Sequence, residues 1–345
     1  SAFCLTLFSF RGCNILGPYN IEISVKLFFV LLEKTKVDVG ENFSIAEHAD
    51  SEDCIREHSM ARKSSFWLRR HGAVSSLALE NIERMQPGSI GCVLKQINLV
   101  KTGLINILPK LRIKKDCVLE LLWLYASEKE HVAGILAKNK RFCVGRVENM
   151  SLGGYAVGVI TKMSLEDCEV GTLWLEAPKE EHVAAVLKQE KKNFVGRVEN
   201  MNLSYYAVSI LLKLIIHEEN TMESIFLAGD GENFSRILEE EDGSIDIGRI
   251  RKSGFKVPER IKRKLRYTLV DEEGNEIPKE IIWTKMYTRI DEEGGDSSIE
   301  LGRIRWRVSS VSWEIKRKPR YIIVEREGEE VLEEEIFSQR GNRLE

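Results

Sequence analysis

The spacing of apolar residues predicts helices in the segment 60–115. The residues that share one helix face are Ile90, Val93, Leu94 and Ile97, which recur at i, i+3, i+4 and i+7. A Pro-Gly breaker at 87–88 separates this segment from an earlier helix, predicted over about 76–85. Basic residues flank both sides of the segment. The pattern therefore suits a DNA-reading helix-turn-helix, and an ordinary helical hairpin with solvated ends is the alternative.

One stretch occurs twice, at a constant offset of 51 positions: half of the aligned positions are identical between 116–163 and 167–214. In the first copy the pattern predicts a strand near 122–125, then a short helix, a strand through 144–150 and a last strand over 155–163. Each copy is therefore predicted to be a βαββ unit. Two such units can share one sheet, with both helices on the same face.

A second stretch also recurs, 54 positions apart, over 243–283 and 297–337. Alternation of apolar and polar residues, as at Ile245 and Ile247, predicts strands. The sequence Asp271–Asn275 carries the Asp, Gly and Asn residues of a hairpin turn. Each copy is therefore predicted to be a small β-rich unit of three or four strands.

Together these patterns predict an α+β fold with a helical N-terminal region, a duplicated βαββ domain and a duplicated β-rich C-terminal region. Residues 1–59 show poor periodicity, and Met60 is followed by residues typical of a native start. The predicted divisions are a weakly specified leader over 1–59, the helical segment 60–115, the βαββ pair over 116–216, an acidic linker over 217–242 and the β-rich pair over 243–345.

Composition narrows the class of protein. The chain has 345 residues, 43% hydrophobic and 30% charged, with a net charge of −3, so globular domains are expected without an overall basic pull toward nucleic acid. Its seven cysteines include no Cys-x-x-Cys pair, which favours a reduced, cytoplasmic protein over a secreted disulfide scaffold. No apolar run in the sequence is long enough to span a membrane, so no membrane partner is expected.

Charge is unevenly distributed in the C-terminal region. Half of the positions from Arg249 to Arg266 are Lys or Arg, and the second copy repeats this run more weakly with Trp306 and Trp313 among its basic residues. Basic side chains with interleaved aromatic rings suit phosphate contact and base stacking. The predicted nucleic-acid contacts are Arg249, Arg251, Lys252, Lys256, Lys262, Arg263, Lys264, Arg303, Arg305, Arg307, Lys316, Arg317 and Lys318. The alternative is that the acidic runs which follow pair with these residues.

The longest identical run in the first duplication is Val-Gly-Arg-Val-Glu-Asn-Met. It places Arg146 and Glu148 two positions apart on a strand, and Arg197 and Glu199 occupy the same positions in the second copy. These four side chains are predicted either to pair with one another along a seam between the copies or to line a shared ligand groove.

Two other pairs recur in the first duplication, His131 with His182 and Cys117 with Cys168. A metal site needs three or four such ligands to converge, and cysteine also serves as a small buried residue. Structural roles are therefore expected for all four residues, and neither a metal nor a cofactor is predicted.

The sequence has no P-loop, Rossmann glycine motif, Gly-x-Ser-x-Gly or His-Glu-x-x-His. The leading hypothesis is an intracellular nucleic-acid-binding protein, regulatory in transcription and without catalytic activity, that binds DNA or RNA and self-associates. One alternative is a structural or protein-interaction module that assembles through its charge-segregated β units. A second is an enzyme whose site lies between the two βαββ copies.

Overall fold

The computed structural model describes residues 8–10, 13–16, 21–40, 43–48, 55–57, 65–166 and 168–277, with further strands at 304–305, 323–324 and 330–331. The chain forms two compact units, Ser1–Lys279 and Glu280–Glu345. Across these described ranges, no helix combines the length and the apolar character needed to cross a membrane.

The strands of the first unit are β1 (Phe8–Phe10), β2 (Cys13–Leu16), β3 (Ile21–Ser24), β4 (Lys36–Val39), β5 (Phe43–Ala46), β6 (Ile55–Glu57), β7 (Phe66–His71), β8 (Ile90–Gly91), β9 (Leu94–Val100), β10 (Leu111–Arg112), β11 (Val118–Ala126), β12 (Arg146–Gly154), β13 (Glu169–Ala177), β14 (Asn193–Phe194), β15 (Arg197–Tyr205), β16 (Leu214–Ile215), β17 (Thr221–Met222), β18 (Ser224–Ala228), β19 (Ile245–Arg251), β20 (Phe255–Lys256) and β21 (Leu265–Val270). In the second unit, β22 (Ile304–Arg305), β23 (Ile323–Val324) and β24 (Glu330–Val331) form a three-stranded sheet.

Helical segments alternate with these strands. The α-helices are α1 (Val25–Lys34), α2 (Ser76–Arg84), α3 (Ala133–Leu136), α4 (Ala184–Leu187), α5 (Ser235–Leu238) and α6 (Glu259–Lys262). The 3-10 helices are Gly103–Lys110, Lys129–Val132, Tyr155–Lys162, Glu180–His182, Tyr206–Lys213 and Lys252–Gly254.

The main sheet of the first unit has eight strands in the order β20-β18-β15-β13-β12-β11-β9-β7, and every neighbouring pair is parallel. This order nearly follows the chain, because each long strand is succeeded by a helical segment and then by the next long strand alongside. The strands therefore stack as successive coils of a solenoid, and each coil contacts mainly the coil before and the coil after it.

Each central strand buries its side chains in the same pattern. In β11 the buried positions are Leu119, Leu122, Leu124 and Ala126, and β13 buries Val170, Leu173, Leu175 and Ala177 in the same spacing. Two consecutive residues face outward between the first and second buried positions, so strict alternation is broken once in each strand. The buried side chains pack beneath the helical segments in one continuous core.

The strands recur along the chain at a nearly regular interval. Leu121 pairs with Asn149, 28 positions later, and Val147 pairs with Val170, 23 positions later. Both intervals are within the range of repeat lengths found in solenoid proteins. A strand plus a 3-10 or α-helical turn in a unit of this size, with buried residues spaced as Leu-x-x-Leu-x-Leu, resembles the architecture of leucine-rich-repeat solenoids. One departure is that Ser127 and Pro178 stand where such repeats have an asparagine or cysteine after the strand.

Residues 21–40 differ from the expectation of a weakly specified leader. Helix α1 begins after Ser24, whose side chain accepts a hydrogen bond from the Leu27 N–H, and it packs against α2. The fully buried Asn81 of α2 accepts a hydrogen bond from the Val37 N–H at 3.0 Å. Its amide also donates to the carbonyls of Leu32 and Thr35. The Asn81 side chain, which lies outside the predicted leader, therefore stabilises the C-terminal end of α1.

Two predicted elements are wrong. The helix predicted through Ile90 and Ile97 is instead β8 and strand β9, separated by two irregular residues of which Val93 is exposed, so the segment 60–115 is not a helix-turn-helix. The last predicted strand of the βαββ unit, 155–163, is a 3-10 helix. The predicted helix over 76–85 is confirmed as α2, whose N-cap Ser75 accepts from the Ala78 N–H.

The predicted acidic linker 217–242 contains β17, β18 and α5, and so belongs to the solenoid. The first copy of the predicted β-rich unit continues it, because β19 pairs in parallel with both β17 and β21. The predicted turn at Asp271–Asn275 is confirmed, since Asp271 N–H donates to the Asn275 carbonyl and Asp271 Oδ1 accepts from Asn275 N–H. The second copy, 297–337, lies largely outside the described residues.

Candidate interaction surface

Large aromatic side chains project from the solvent-facing side of the eight-stranded sheet. Strand pairing places Trp123, Trp174 and Phe226 in a single row across the strands, which we call the aromatic row. The three rings lie on every second strand of the sheet. The exposed fractions of Trp123, Trp174 and Phe226 are 42%, 48% and 45%. Exposed aromatic side chains are enriched at protein-binding surfaces, because burying them on binding removes a large apolar area from water.

Small polar side chains fill the strands between the rings. Ser151 lies between Trp123 and Trp174, and Asn202 lies between Trp174 and Phe226. Asn98 precedes Trp123 in the same row. Amide and hydroxyl groups both donate and accept hydrogen bonds, so polar contacts alternate with apolar ones along the row.

The surface beside the row is shaped by a glycine. Gly153 lies next to Tyr125 on the neighbouring strand, and a Cβ atom at Gly153 would come within 2.6 Å of the Tyr125 ring. The missing side chain therefore lets the tyrosine ring lie across its neighbour. At the other end of the sheet, the Arg69 guanidinium stacks 3.8 Å from the centroid of the Trp67 ring, which is itself 43% exposed.

An open groove lies along the same sheet face, towards the amino ends of the strands. Its volume is about 1040 Å³, and we call it the charged groove. The side chains predicted from the repeated sequence all line it: Arg146, Glu148, Arg197 and Glu199. Its other charged residues are Glu169, Glu219 and Glu223. Five glutamates and two arginines thus line the groove, so its net charge is negative.

Ion pairs in the groove connect neighbouring coils. Arg146 Nε lies 3.2 Å from Glu169 Oε2, and Arg197 Nη2 lies 2.8 Å from Glu219 Oε2. In the described part of the chain, neither arginine pairs with Glu148 or Glu199, and these two exposed carboxylates have no ion-pair partner. The geometry therefore supplies a groove with two uncompensated negative charges.

The predicted nucleic-acid contacts between Arg249 and Lys264 lie at the C-terminal end of the solenoid. Carboxylates engage Arg251 (Glu223 at 2.6 Å and Glu272 at 3.0 Å), Lys262 (Glu259 at 2.8 Å) and Lys264 (Asp242 at 3.0 Å). Arg249 donates to the Gly274 carbonyl at 2.9 Å.

The other residues predicted to contact nucleic acid fall into three groups. Lys252, Lys256 and Arg263 are exposed. Arg305 belongs to β22, and the surroundings of its side chain are not described. The predicted residues outside the described part are Arg303, Arg307, Lys316, Arg317 and Lys318.

The repeated histidines lie on the helical side, away from the groove. His182 is buried and its ring meets Tyr155 edge-on, with centroids 4.7 Å apart. Burial lowers the pKa of His182 below its usual value. His131 lies 3.8 Å from Glu128. Among the described residues, no three His, Cys, Asp or Glu side chains cluster as metal ligands would.

The repeated cysteines adjoin the groove without lining it, since the carbonyls of Cys117 and Cys168 accept hydrogen bonds from the N–H groups of Arg146 and Arg197. Cys117 and Cys168 are partly buried beside the core, and their thiols donate to the carbonyls of Leu94 and Ser164. Burial raises the pKa of the Cys117 thiol, so this sulfur is not an activated nucleophile.

The aromatic row was not among the predicted site residues. A signal was present, because the sequence Leu-Trp-Leu at 122–124 alternates. With both leucines in the core, the tryptophan must face solvent. No protein family, curated protein or solved structure matches this chain.

Proposed function

We propose that this chain is a binding module that holds a segment of another protein on the solvent-facing side of its parallel sheet. The observation that carries the proposal is the aromatic row, in which three half-exposed rings lie at regular two-strand intervals. Aromatic side chains dominate the binding energy of many protein interfaces, since a ring buries a large area at little entropic cost. Stacked coils extend such a surface across several strands.

The alternating polar groups support the same proposal. Ser151 and Asn202 can satisfy the backbone N–H and C=O groups of a bound chain between the rings. A bound polypeptide carries both kinds of group at nearly every residue, so a surface that alternates rings with amides suits it.

Nucleic-acid binding by the basic residues stays a prediction. The exposed Lys252, Lys256 and Arg263 are available for phosphate contact, whereas ion pairs with carboxylates offset the charge of Arg251 and Lys264. The charged groove is acidic and would repel phosphate. For these reasons we place protein binding by the sheet face ahead of nucleic-acid binding.

The proposal can be tested with a displayed library of random peptides, selected on the full chain. Peptides that emerge should be assayed against Trp174→Ser and against the matched control Phe194→Ser. Phe194 has a similar exposure, 46% against 48%, but lies on β14 outside the eight-stranded sheet. We expect peptides to bind the wild type and the control alike, and to bind Trp174→Ser at least tenfold more weakly.

Two results would count against the proposal. One is a library from which no peptide is enriched. The other is enrichment of peptides that bind all three proteins equally, because their site would then lie elsewhere. A gel-shift titration with DNA and RNA fragments, from low to high salt, tests the competing prediction: binding that strengthens as salt falls and is lost on substituting Lys252, Lys256 and Arg263 would favour nucleic acid.

A further inference from the structure

The charge of the groove restricts what can lie beside the middle of the aromatic row, whereas the register neighbours at the two ends of the row are cationic: Arg69 next to Asn98, and Lys256 next to Phe226. The two arginines of the groove are each engaged by a glutamate, whereas Glu148 and Glu199 are exposed and unpaired within the described part of the chain. Each of these carboxylates precedes a row residue, Ser151 or Asn202, by three positions, roughly 10 Å along the strand. A cationic side chain extending sideways from a ligand on the row would therefore approach them.

The spacing of the row restricts the conformation of the occupant. Parallel strands lie about 4.8 Å apart, so the rings, which lie on every second strand, recur at about 9.6 Å, and four strand spacings from β11 to β18 correspond to about 19 Å. A polyproline II helix rises about 3.1 Å per residue with three residues per turn, so one of its faces recurs at about 9.3 Å. Two turns match the three rings to within about 1 Å.

Other regular conformations fit less well. Side chains on one face of a β-strand recur at about 6.6 Å, and two such steps give about 13 Å. Those on one stripe of an α-helix recur at about 10.5 Å with each heptad, which leaves a mismatch of about 2 Å across the row. Proline rings also pack well on aromatic side chains, and aromatic-lined grooves are a recurrent means of binding polyproline II segments.

We propose that the ligand is a cationic, proline-rich segment in the polyproline II conformation, lying across the strands. Residues i, i+3 and i+6 of the segment contact Trp123, Trp174 and Phe226, and lysine or arginine side chains on an adjacent face reach towards Glu148 and Glu199. This inference rests on the proposed function and specifies the chemistry of the partner.

Three synthetic peptides separate conformation from charge, with binding measured by calorimetry at low ionic strength. (Pro-Pro-Lys)4 has both predicted properties. (Pro-Pro-Glu)4 keeps the conformation and reverses the charge, and (Gly-Ser-Lys)4 keeps the charge on a flexible chain. We expect the first to bind, and the other two to bind at least tenfold more weakly. We also expect Trp174→Ser to weaken the first peptide at least tenfold, and Glu148→Gln with Glu199→Gln to weaken it at least threefold. Phe194→Ser should leave its affinity unchanged.

Each alternative outcome overturns the inference. Equal binding of the lysine and glutamate peptides removes the charge argument, and equal binding of the flexible peptide removes the conformational one. Absence of binding by (Pro-Pro-Lys)4, while library peptides still bind through Trp174, overturns the inference and leaves the proposed function standing. Failure of both kinds of peptide overturns both proposals.

Discussion

Replacing Asn81 with leucine tests whether the residues around α1 are an integral part of the solenoid. Asn81 is fully buried, and its side chain makes three hydrogen bonds to backbone groups of α1, its C-cap residue and β4. Leucine has a similar size but cannot make any of them. The substitution leaves the buried Val37 N–H and Leu32 carbonyl, and the half-buried Thr35 carbonyl, without this partner.

The expected cost follows from those three groups. An unsatisfied buried backbone group costs about 1–3 kcal/mol, and partial relaxation of the chain recovers some of the total. We therefore expect Asn81→Leu to lower the free energy of unfolding by about 3–5 kcal/mol. The matched control is Asn149→Leu, because the exposed Asn149 makes one hydrogen bond, to the Glu120 carbonyl, and should cost less than about 1 kcal/mol.

Urea denaturation followed by circular dichroism measures both changes, and hydrogen exchange locates them. Because solenoid coils are stabilised mainly by their neighbours, amide protection should fall most over residues 25–39. A change below about 1 kcal/mol for Asn81→Leu, or unaltered exchange over that segment, would refute this account of how the first coils are joined.

Three further predictions concern backbone conformation, ionisation and the N-terminal region. Gly154 has φ +60°, and a Cβ atom there would lie 2.2 Å from the Ala126 carbonyl oxygen. Gly154→Ala should therefore lower the free energy of unfolding, measured thermally or in urea, by more than about 2 kcal/mol. Tyr205 adopts nearly the same backbone conformation at the equivalent position, and Tyr205→Gly should raise the free energy of unfolding by about 1 kcal/mol. Burial lowers the pKa of Lys110 to about 8. Between pH 8 and about 10.4 the unfolded chain therefore binds more protons than the folded chain, and the free energy of unfolding rises with pH. From pH 7.5 to pH 9.5, urea titrations should show the free energy of unfolding of the wild type rising by roughly 1–2 kcal/mol more than that of Lys110→Met; equal changes in the two proteins would contradict this. Truncation at Met60 removes α1 and uncovers α2, and we expect reduced soluble yield and a lower urea midpoint; an unchanged midpoint would show that the leader is dispensable.

The sequence predicted the local elements whose signals are strong. Helix α2 follows a serine cap, and the Asp271–Asn275 turn carries its own characteristic residues. The helix expected at Ile90 to Ile97 failed for a specific reason. The solenoid strands bury residues at i, i+3 and i+5, and the first interval imitates the spacing of a helix.

The helical segments were missed for the opposite reason. The run from Ala156 to Thr161 is continuously buried, and such a run is typical of a strand covered on both faces. In the solenoid it is instead a 3-10 helix, enclosed by the sheet and by the helical segments of the neighbouring coils. Burial from several sides depends on how coils stack, which local periodicity does not encode.

The candidate surface was predicted in part. Repetition of Gly-Arg-Val-Glu-Asn-Met identified four residues that line one groove, but it left open whether they pair with each other. Their partners, Glu169 and Glu219, come from other strands and loops that only the register of the sheet brings close. The aromatic row likewise depends on register, since Phe226 lies outside the duplicated stretch.

The central claim is that the aromatic row binds a polypeptide, and the most direct test is the affinity of one selected peptide for the ring variants. Calorimetry should be carried out with the wild type, Trp123→Ser, Trp174→Ser, the double variant and Phe194→Ser. We predict a loss of at least tenfold for each single variant on the row, a larger loss for the double variant and no change for Phe194→Ser. Affinities that are unchanged by both tryptophan substitutions, or reduced equally by the Phe194 control, would contradict the claim.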